Sequence, residues 1–285
     1  MKFRLPLAVT VALLPWALSA EALRLSVSDL LEPALAPTLE AWSDEGLISA
    51  VRFEGSLLGE AALREDDVEL AILARPEAEA IDGLLAWPLA YYGVQLAVPQ
   101  ANPLAEIDRE TLREIWRRDG TVAEWAQLGL EGVWTTREIN LLGLESSNNL
   151  MFELFRARVL ERFALTPHVI FEDDLTGLFG RMGDNPATLA MIPVTAVPGD
   201  VRVLRVAARE GAAAFEASAD NMMVGDYDLR LSFVVAVRPA HLTAAAPVLR
   251  RLMNDAMAER LAAADLVALP ATERREILLD LRAAQ

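Results

Sequence analysis

A short polar loop near the middle of the chain is the first candidate for chemistry. Ser146, Ser147, Asn148 and Asn149 stand between an apolar run typical of a strand and an amphipathic run typical of a helix. Unpaired backbone N–H groups at the start of a helix, together with the helix dipole, can bind an anion. Serine and asparagine are also good N-caps, so the loop could equally be an ordinary helix start. The sequence leaves both interpretations open.

Two earlier turns repeat this arrangement. Ser28 and Asp29 follow a first predicted strand, Gly55 and Ser56 follow a second, and each pair comes just before a predicted helix. The first pair could be only a helix cap, and the second only a strand-to-helix turn. All four residues are candidate ligand contacts.

Two arginines complete the candidate ligand-binding set. Arg75 precedes Pro76 at the end of an apolar strand, where it could bind a ligand or support a hinge. Arg137 precedes the strand that leads to the polar loop, and a charge at such a place is typically solvated. A guanidinium group is the strongest side-chain partner for an oxyanion, so both arginines are retained as candidates.

Enzymatic chemistry finds no matching pattern. The chain has no cysteine and two histidines, His168 and His241, neither with a motif-spaced serine or carboxylate partner. It has no Gly-x-Ser-x-Gly motif, P-loop or dinucleotide-binding fingerprint. So few imidazoles and no thiolate leave little to bind zinc or copper. We predict no catalytic residue, no metal and no cofactor.

Other conspicuous residues favour structural roles. The acidic run Glu172-Asp173-Asp174 could attract a cation, but acids at the start of a helix are favoured by its dipole. Trp116, Trp125 and Trp134 could form a stacking platform for a sugar, but core packing is the favoured interpretation.

The first 22 residues predict an export signal. Lys2 and Arg4 precede an apolar stretch from Leu5 to Leu18, and small residues follow. This stretch is too short to span a bilayer, so cleavage after Ala20 or Ala22 is favoured over an uncleaved anchor. Without cysteine, neither disulfides nor a lipidated N-terminus are expected. We predict a periplasmic protein, secreted by a cleavable signal peptide and not lipidated.

The net charge limits the partners. The formal charge of the chain is −16 at pH 7, and removing Lys2 and Arg4 takes it to −18 (−16 − 2). Such an acidic protein is not expected to bind nucleic acid or an anionic membrane. Any small anion must therefore be held by local dipoles and donors, against the field of the whole molecule.

Strand-like and helix-like patterns alternate along the chain, which predicts an α/β protein with mostly parallel sheets. The pattern changes near residue 100 and returns near residue 200, which indicates two lobes. We predict residues 23–98 plus 205–285 as the first lobe and 99–204 as an inserted second lobe, with hinges at 98–100 and 197–207. A cleft between lobes is where small ligands usually bind.

Several segments, in a shared order, carry a resemblance to a known family. They are EGSLLG at 54–59, VELAILARP at 68–76, VQLAVPQANPL at 94–104, DRETLREIWRRDG at 108–120 with EWAQLG at 124–129, and DYDL at 226–229. Together they resemble the substrate-binding proteins of phosphate ABC importers, the PstS-like family of periplasmic binding proteins. The resemblance spans almost the whole mature chain. It implies an α/β fold of the type II periplasmic class, with two lobes that each contain a central mixed sheet flanked by helices.

In that family helix N-termini, hydroxyls, an arginine and a carboxylate hold a phosphate between the lobes. The resemblance carries this role to Ser28, Asp29, Gly55 and Ser56, and it places residues 146–149 where the family has a Ser-Gly-Thr loop. The chain departs from the pattern in that loop, where Asn148 replaces the glycine and Asn149 the threonine. It departs again at Leu144, where the family has an arginine, and at Ala74, where it has serine or aspartate.

The function implied by the resemblance is solute capture without catalysis. The protein would take phosphate, or a related small oxyanion, from the periplasm to an ABC permease in the inner membrane, acting as a monomer. The alternative is a degenerate binding-protein domain that serves as a non-transport interaction module of the envelope. Leu144 favours this alternative, because it removes the bidentate cation that a dianion requires.

Overall fold

The structure is a computed structural model that describes residues 22–76, 80–145 and 150–283. Its strands are β1 Leu23–Ser28, β2 Ile48–Glu54, β3 Leu70–Arg75, β4 Leu85–Pro99, β5 Glu106–Asp108, β6 Asn140–Leu144, β7 Ile170–Glu172, β8 Thr188–Pro193, β9 Val201–Val203, β10 Arg205–Ala207, β11 Ala214–Phe215, β12 Arg230–Val237 and β13 Val267–Ala268. Its α-helices are α1 Glu32–Asp44, α2 Ser56–Arg64, α3 Arg109–Trp116, α4 Leu150–Phe155, α5 Leu175–Asp184, α6 Ala219–Val224, α7 Leu242–Leu252, α8 Asp255–Ala262 and α9 Ala271–Ala283. A π-helical turn, Arg156–Leu160, continues α4.

Two predicted features lie outside the described residues. One is the export signal, of which only Ala22 is described. The other is the polar loop Ser146, Ser147, Asn148 and Asn149. Both stay predictions from the sequence.

The first sheet contains β2, β1, β3, β12 and the amino-terminal part of β4, in that order. β1, β2 and β3 are parallel to one another, and β12 is antiparallel to both β3 and β4. β4 therefore runs in the same direction as β1, β2 and β3. Its residue Gly93 lies toward the edge at which those three strands end.

The second sheet contains the carboxy-terminal part of β4, then β8, β6 and β7. Gly93 pairs with Arg230 in the first sheet, whereas Val94 pairs with Pro193 in the second, so β4 changes sheet between Gly93 and Val94. We call these two residues the crossing. β8 is antiparallel to β4, and β6 is parallel to β8. The carboxyl ends of the parallel strands in both sheets therefore point toward the crossing.

The strand pairings bear on where the lobes divide, although the predicted division at 98/99 and 204/205 stays a prediction. One change of sheet lies at the crossing, a few residues before the predicted boundary. β9 pairs with residues 97–99 of β4, and β10 pairs with β5 and β11 in a small separate sheet.

Helices cover the first sheet on both faces, which explains the uninterrupted apolar run of β3. Leu70 and Ile72 belong to the main apolar cluster, which continues through β4 into the second sheet. Ala71 and Leu73 face the other way and pack in a smaller cluster with Leu63 of α2. Alternate side chains of one strand thus enter different layers, as the period of two requires.

The tryptophans are core residues, as predicted. Trp116 and Trp125 have no exposed surface and Trp134 is 8% exposed. Trp116 packs edge-on against Phe155, with ring centroids 5.3 Å apart, and Trp125 packs edge-on against Trp134 at 6.0 Å. The Trp125 indole N–H also donates to the carbonyl of Ala187 at 3.1 Å. The second sheet is therefore fixed to its flanking segments by aromatic packing.

Acidic side chains cap α3 and α5. Asp108 caps α3, with its Oδ1 accepting from the backbone N–H of Thr111 at 2.9 Å. Asp174 caps α5 in the same way, accepting from Gly177 at 2.8 Å. Glu172, in the same acidic run, forms an ion pair with Arg181. That run starts a helix, and its Glu172 and Asp174 carboxylates both have partners within the protein.

Two elements differ from what the sequence pattern predicts. Pro88 predicts a break in the strand over 84–98, but β4 is continuous, because Pro88 pairs with Val234 next to a register shift, and a bulge tolerates a residue without an N–H. The apolar spacing over 244–264 predicts one long helix, but the structure has two, because Asn254 interrupts it and its Oδ1 caps α8 by accepting from Met257 at 2.7 Å. The sequence pattern also did not predict α6 or α9. Within the described residues, no helix has both the length and the apolar character that crossing a membrane requires.

Candidate functional site

The ends of β1, β2 and β3 bring most of the first-lobe candidates together. Ser28, the last residue of β1, pairs with Glu54 at the end of β2. Gly55 and Ser56 follow at once and start α2, while Arg75 ends β3. Because the three strands are parallel and adjacent, these residues share one edge of the first sheet. We call it the first-sheet edge.

Ser28 has an unusual environment at this edge. The residue is 2% exposed, and among the described residues its hydroxyl has no hydrogen-bond partner. It precedes the 3-10 turn Asp29–Leu31 without capping it. A buried hydroxyl left unpaired costs about 1–3 kcal/mol, so such a group needs an explanation. Asp29 is exposed and accepts from the N–H of its neighbour Leu30 at 3.1 Å.

Ser56 uses its hydroxyl within the protein. Its Oγ accepts from the backbone N–H of Ala74 at 2.7 Å, which fastens the start of α2 to the end of β3. Gly55 has ordinary φ of −59°, and a Cβ there would meet nothing within 4 Å. Neither backbone strain nor crowding therefore requires a glycine at this turn.

Arg75 is engaged in the same way. Its Nη1 lies 2.9 Å from Oε2 of Glu60 in α2, and Glu60 also pairs with Arg64 at 2.8 Å. The side chain is 29% exposed. In this arrangement Arg75 ties α2 to β3.

The corresponding edge of the second sheet has a different chemistry. β6 ends at Leu144, which is half-buried, and the exposed Glu145 follows it. Arg137 precedes the opposite end of β6 and stacks on the Trp134 ring, with its guanidinium carbon 5.0 Å from the centroid. A strand of this length spans about 16 Å. The structure thus places Arg137 and Leu144 at opposite ends of β6.

Two arginines that sequence reasoning missed lie near the crossing. Arg158, in the π-helical turn, donates from Nη2 to the carbonyl oxygens of Pro76 at 2.6 Å and of Arg230 at 3.2 Å. It therefore joins the helix beside the second sheet to two strands of the first. Arg230 is 4% exposed, donates to the Ser232 hydroxyl at 2.7 Å, and stacks on Tyr91 with 5.4 Å to the centroid.

The signals for these two arginines differ. Arg230 opens an apolar strand, and an ionised residue in a buried strand is rare enough to be noticed in a sequence. The position of Arg158 depends on the π-helical turn. Arg113 of α3 stabilises that turn by donating to the Val159 carbonyl at 2.7 Å and by pairing with Glu161. Glu161 has a positive φ of 53°. A contact between residues so distant in the chain leaves no local pattern.

Two buried tyrosines lie near the crossing; Tyr227 donates a hydrogen bond there, whereas the Tyr91 hydroxyl has no partner among the described residues. Burial raises the pKa of the Tyr91 hydroxyl, and the charge of Arg230 partly opposes that shift. Burial also raises the pKa of Tyr227, whose hydroxyl donates to the carbonyl of Val94 at 2.6 Å. Gly93 is closely surrounded, since a Cβ there would lie 2.4 Å from Met222 and 2.7 Å from Val194. The crossing is therefore closely packed around Gly93, and the hydrogen bond from Tyr227 holds Val94 in place.

Comparison with known proteins agrees with this geometry. Residues 15–155 match a family model described as a PBP superfamily domain. The match covers 141 of the 285 residues (155 − 14). Among curated proteins, no sequence matches the chain.

Solved structures extend the similarity over nearly the whole length of the chain. A possible phosphate binding protein from Planctomyces limnophilus has a TM-score of 0.70 at 13% identity, covering 92% of this chain and 98% of that one. PstS from Borrelia burgdorferi has a TM-score of 0.67 at 12% identity, covering 88% and 99%. An ABC-type phosphate transport receptor from Vibrio cholerae has 0.59 at 18%, covering 87% and 99%.

These matches confirm the predicted resemblance and fold class. The chain has a mixed α/β fold of the type II periplasmic-binding-protein class. Identities of 12–18% are evidence for the fold alone. The ligand roles of Ser28, Asp29, Gly55, Ser56, Arg75, Arg137 and residues 146–149 stay predictions.

Proposed function

We propose that this protein is a periplasmic solute-binding protein that captures phosphate or a related small oxyanion near the crossing and delivers it to an ABC permease. The observation that carries the proposal is the buried Ser28 hydroxyl at the edge where the carboxyl ends of the parallel strands converge. In α/β proteins, ligands bind outside the carboxyl ends of strands. A helix also starts there, at Ser56, and its N-terminus favours negative charge.

Capture requires no bond to be made or broken. An oxyanion beside the first-sheet edge would accept from the Ser28 hydroxyl and from the free N–H groups of the first turn of α2. Approach of the second sheet, by rotation about the crossing, would exclude water and strengthen each hydrogen bond. The predicted polar loop 146–149 would then supply donors from the second sheet. The protein would act as a monomer, exported by its signal peptide.

Calorimetric titration tests this proposal. Purified protein, stripped of bound solute by unfolding and refolding, is titrated with phosphate and with sulfate at two salt concentrations. We expect saturable binding of an oxyanion with a dissociation constant in the micromolar range or below. Ser28→Ala should weaken it about tenfold, the loss of one hydrogen bond to a charged acceptor.

Ser49→Ala is the matched control. Ser49 lies in β2 toward its opposite end, and its hydroxyl donates to the Ala22 carbonyl at 2.9 Å. This variant should bind as the wild type does. Equal affinities of the wild type and Ser28→Ala would show that Ser28 does not contact the ligand. If no oxyanion at millimolar concentration gives a heat of binding, the proposed function is contradicted.

A second candidate function is an interaction module of the envelope that has lost solute binding. The observation in its favour is that Ser56 and Arg75, two of the predicted ligand groups, are engaged by Ala74 and Glu60 within the protein. Leu144, in place of a cation, points the same way. Absence of oxyanion binding by refolded, correctly folded protein would favour this candidate.

A further inference from the structure

The first turn of α2 exposes two adjacent leucines beside the first-sheet edge. Leu57 is 86% exposed and Leu58 is 64% exposed. They follow Ser56, whose hydroxyl accepts from the Ala74 N–H and so fixes this turn to the end of β3. A single exposed leucine needs no explanation, but neighbouring large apolar side chains beside an edge that faces the crossing indicate a surface that another group covers. We call Leu57 and Leu58 the α2 leucines.

The end of β6 carries a second apolar surface. Phe171 of β7 is 41% exposed, although a phenylalanine is more often buried, and its ring lies against Gly143 of β6. Phe171 lines an open cavity together with Phe152 and Leu165, which are both half-buried. We call these three side chains the Phe171 surface. Because this surface is concave, an aliphatic side chain from outside can enter it.

The topology places the two surfaces at similar distances from the crossing. In the first sheet β3 lies two strands from β4, with β12 between them, and in the second sheet β6 lies two strands from β4, with β8 between them. Neighbouring strands are about 4.8 Å apart, so each surface stands roughly 10 Å to its own side of β4. Rotation of one sheet about the crossing therefore moves the two surfaces toward each other.

The two sides already meet near the crossing. Arg158, in the turn that continues α4, donates to the carbonyl oxygen of Pro76 at 2.6 Å, and Pro76 directly follows β3. The same α4 carries Phe152 in its first turn. One helical segment therefore reaches from the Phe171 surface to the end of β3, so a rigid rotation can bring the surfaces together without unfolding either side.

Charge opposes that approach. The predicted first lobe, 23–98 plus 205–285, has a net charge of −11 (14 basic and 25 acidic residues). The predicted second lobe, 99–204, has a net charge of −6 (10 basic and 16 acidic residues). Two bodies of like charge repel each other, so closure needs a favourable contribution of another kind. Burial of apolar surface is such a contribution.

We propose that the α2 leucines and the Phe171 surface form an apolar latch, which joins the two sheets when the cleft closes. Leu57 or Leu58 enters the cavity beside Phe171, and the contact excludes water from that side of the cleft. The inference rests on the closure that the proposed function requires, and it adds a stabilising contact that does not involve the solute. Because the latch favours the closed state, it raises the apparent affinity for a solute that only the closed state holds.

Crosslinking tests the latch directly, because the chain contains no cysteine. The double variants Leu57→Cys/Phe171→Cys and Leu58→Cys/Phe171→Cys each carry two thiols and no others. A disulfide requires the two Cα atoms to come within about 7 Å of each other. With diamide as oxidant we expect at least one pair to form an intramolecular disulfide, which mass spectrometry detects as the loss of two hydrogen atoms. Added salt should speed its formation, because salt screens the repulsion between the lobes.

Leu57→Cys/Val133→Cys is the matched control. Val133 is 69% exposed and lies before the opposite end of β6, away from the crossing. This pair should stay reduced under the same conditions, and thermal unfolding checks that every variant is folded. Absence of a disulfide in both latch pairs, or a yield no higher than in the control, would overturn the latch.

Phosphate titration of serine variants separates the latch from the proposed function. Leu57→Ser/Leu58→Ser and Phe171→Ser should each weaken phosphate binding about tenfold, and Leu279→Ser, an exposed leucine of α9, should not. The triple variant should lose no more than either, because each removes the same contact. Unchanged affinities, or losses that add, would overturn the latch and leave the proposed function intact. A disulfide in the latch pairs of a protein that binds no oxyanion would support the latch and contradict the proposed function.

Discussion

The two edges that face the crossing have the same place in the topology and opposite chemistry. At the first-sheet edge, polar groups other than the Ser28 hydroxyl are paired within the protein: Ser26 with Glu54 at 2.7 Å, Ser56 with Ala74 at 2.7 Å, and Arg75 with Glu60 at 2.9 Å. At the end of β6, the surface is apolar and open around a cavity of about 320 Å³, which we call the Leu144 cavity and which is lined by Leu144, Glu145, Phe152, Leu165 and Phe171. Apart from Ser28, the first edge is already hydrogen-bonded, whereas the second exposes apolar surface.

Two glycines, Gly59 and Gly143, show that the two edges also differ in how tightly they are packed. A Cβ on Gly59 of α2 would lie 2.5 Å from the Ser26 hydroxyl, a fully buried group that is bonded to Glu54. A Cβ on Gly143 would lie 2.8 Å from the ring of Phe171, which is partly exposed. The first contact has no room to relax, but the second can relax by moving a ring into solvent. We infer that side chains at the first-sheet edge are fixed in place, whereas the Phe171 ring at the end of β6 can move.

Gly59→Ala should have the largest effect. Overpacking typically costs about 1–3 kcal/mol. The better helix propensity of alanine offsets up to about 1 kcal/mol of that. We expect a net loss of about 1–2 kcal/mol in the free energy of unfolding, measured by urea denaturation. Ser26→Ala removes the obstructing oxygen, so the double variant should be more stable than the sum of the single effects requires. Strict additivity would mean that the contact does not limit the packing of α2.

Arg158→Gln addresses the link between the two edges. Its hydrogen bonds to the carbonyls of Pro76 and Arg230 connect the π-helical turn to the first sheet. Hydrogen bonds from a charged group contribute about 1.5–3 kcal/mol when they are protected from water, and this side chain is only partly buried, so we expect a loss of about 1 kcal/mol. Small-angle scattering should also show a larger radius of gyration.

Arg156→Gln is the control for that experiment. Arg156 lies two residues away and pairs with Glu153, with both side chains about half exposed (50% and 48%). Such a surface pair contributes little, so this variant should stay within about 0.5 kcal/mol of the wild type. An unchanged radius of gyration in Arg158→Gln would show that Arg158 does not hold the two sheets together.

These interactions also show which features a sequence can predict. Parallel β1, β2 and β3 follow from alternating patterns and short polar turns, so Ser28, Gly55, Ser56 and Arg75 could be grouped before the structure was known. Their pairing could not be, because the Ser56 hydroxyl serves Ala74 only once α2 is packed on β3. The local periodicity of three or four residues carries no information on such contacts.

The errors have the same origin. A proline usually ends a strand, but at Pro88 the bulge and the neighbouring β12 override that preference. The apolar spacing over 244–264 is helical on both sides of Asn254, so periodicity alone did not reveal the new cap. Arg158 reaches Pro76, 82 residues earlier, through a π-helical turn that has no sequence signature. Long-range packing decided each case.

Gly143→Ala should be milder than Gly59→Ala and should act on the Leu144 cavity. The Phe171 ring can rotate away from the new methyl group, so we expect less than about 1 kcal/mol in the free energy of unfolding. The displaced ring changes the wall of the cavity. Near-ultraviolet circular dichroism and quenching of phenylalanine fluorescence by solvent report the ring's environment. A loss as large as that of Gly59→Ala would contradict the view that this edge adapts.

The smallest effect is expected at the opposite edge of the first sheet, where charge rather than packing is involved. Asp66, in the turn between α2 and β3, lies 2.6 Å from Nε2 of His241 and 2.8 Å from Nη1 of Arg238. The hydrogen bond from His241 and the charge of Arg238 hold the pKa of Asp66 below its usual range. A carboxyl whose pKa is lowered by folding stabilises the protein above its unfolded pKa, and that contribution is lost as the pH falls through the folded value.

Asp66→Asn tests the sign of this contribution. The residue has a positive φ of 68°, which asparagine adopts as readily as aspartate, so the substitution changes the charge and not the backbone. We expect the variant to be less stable than the wild type at pH 7. The difference should shrink toward low pH, as the pH falls through the lowered pKa of Asp66. Asp67→Asn, at the next and equally exposed position, is the control and should track the wild type at every pH. A difference that is the same at pH 7 and pH 3 would mean that the turn depends on the shape of the side chain. If the stability difference between Asp66→Asn and the wild type disappears at low pH, the charge of Asp66 stabilises this edge. The edge would then differ from the packed edge at Gly59 and the open one at Gly143.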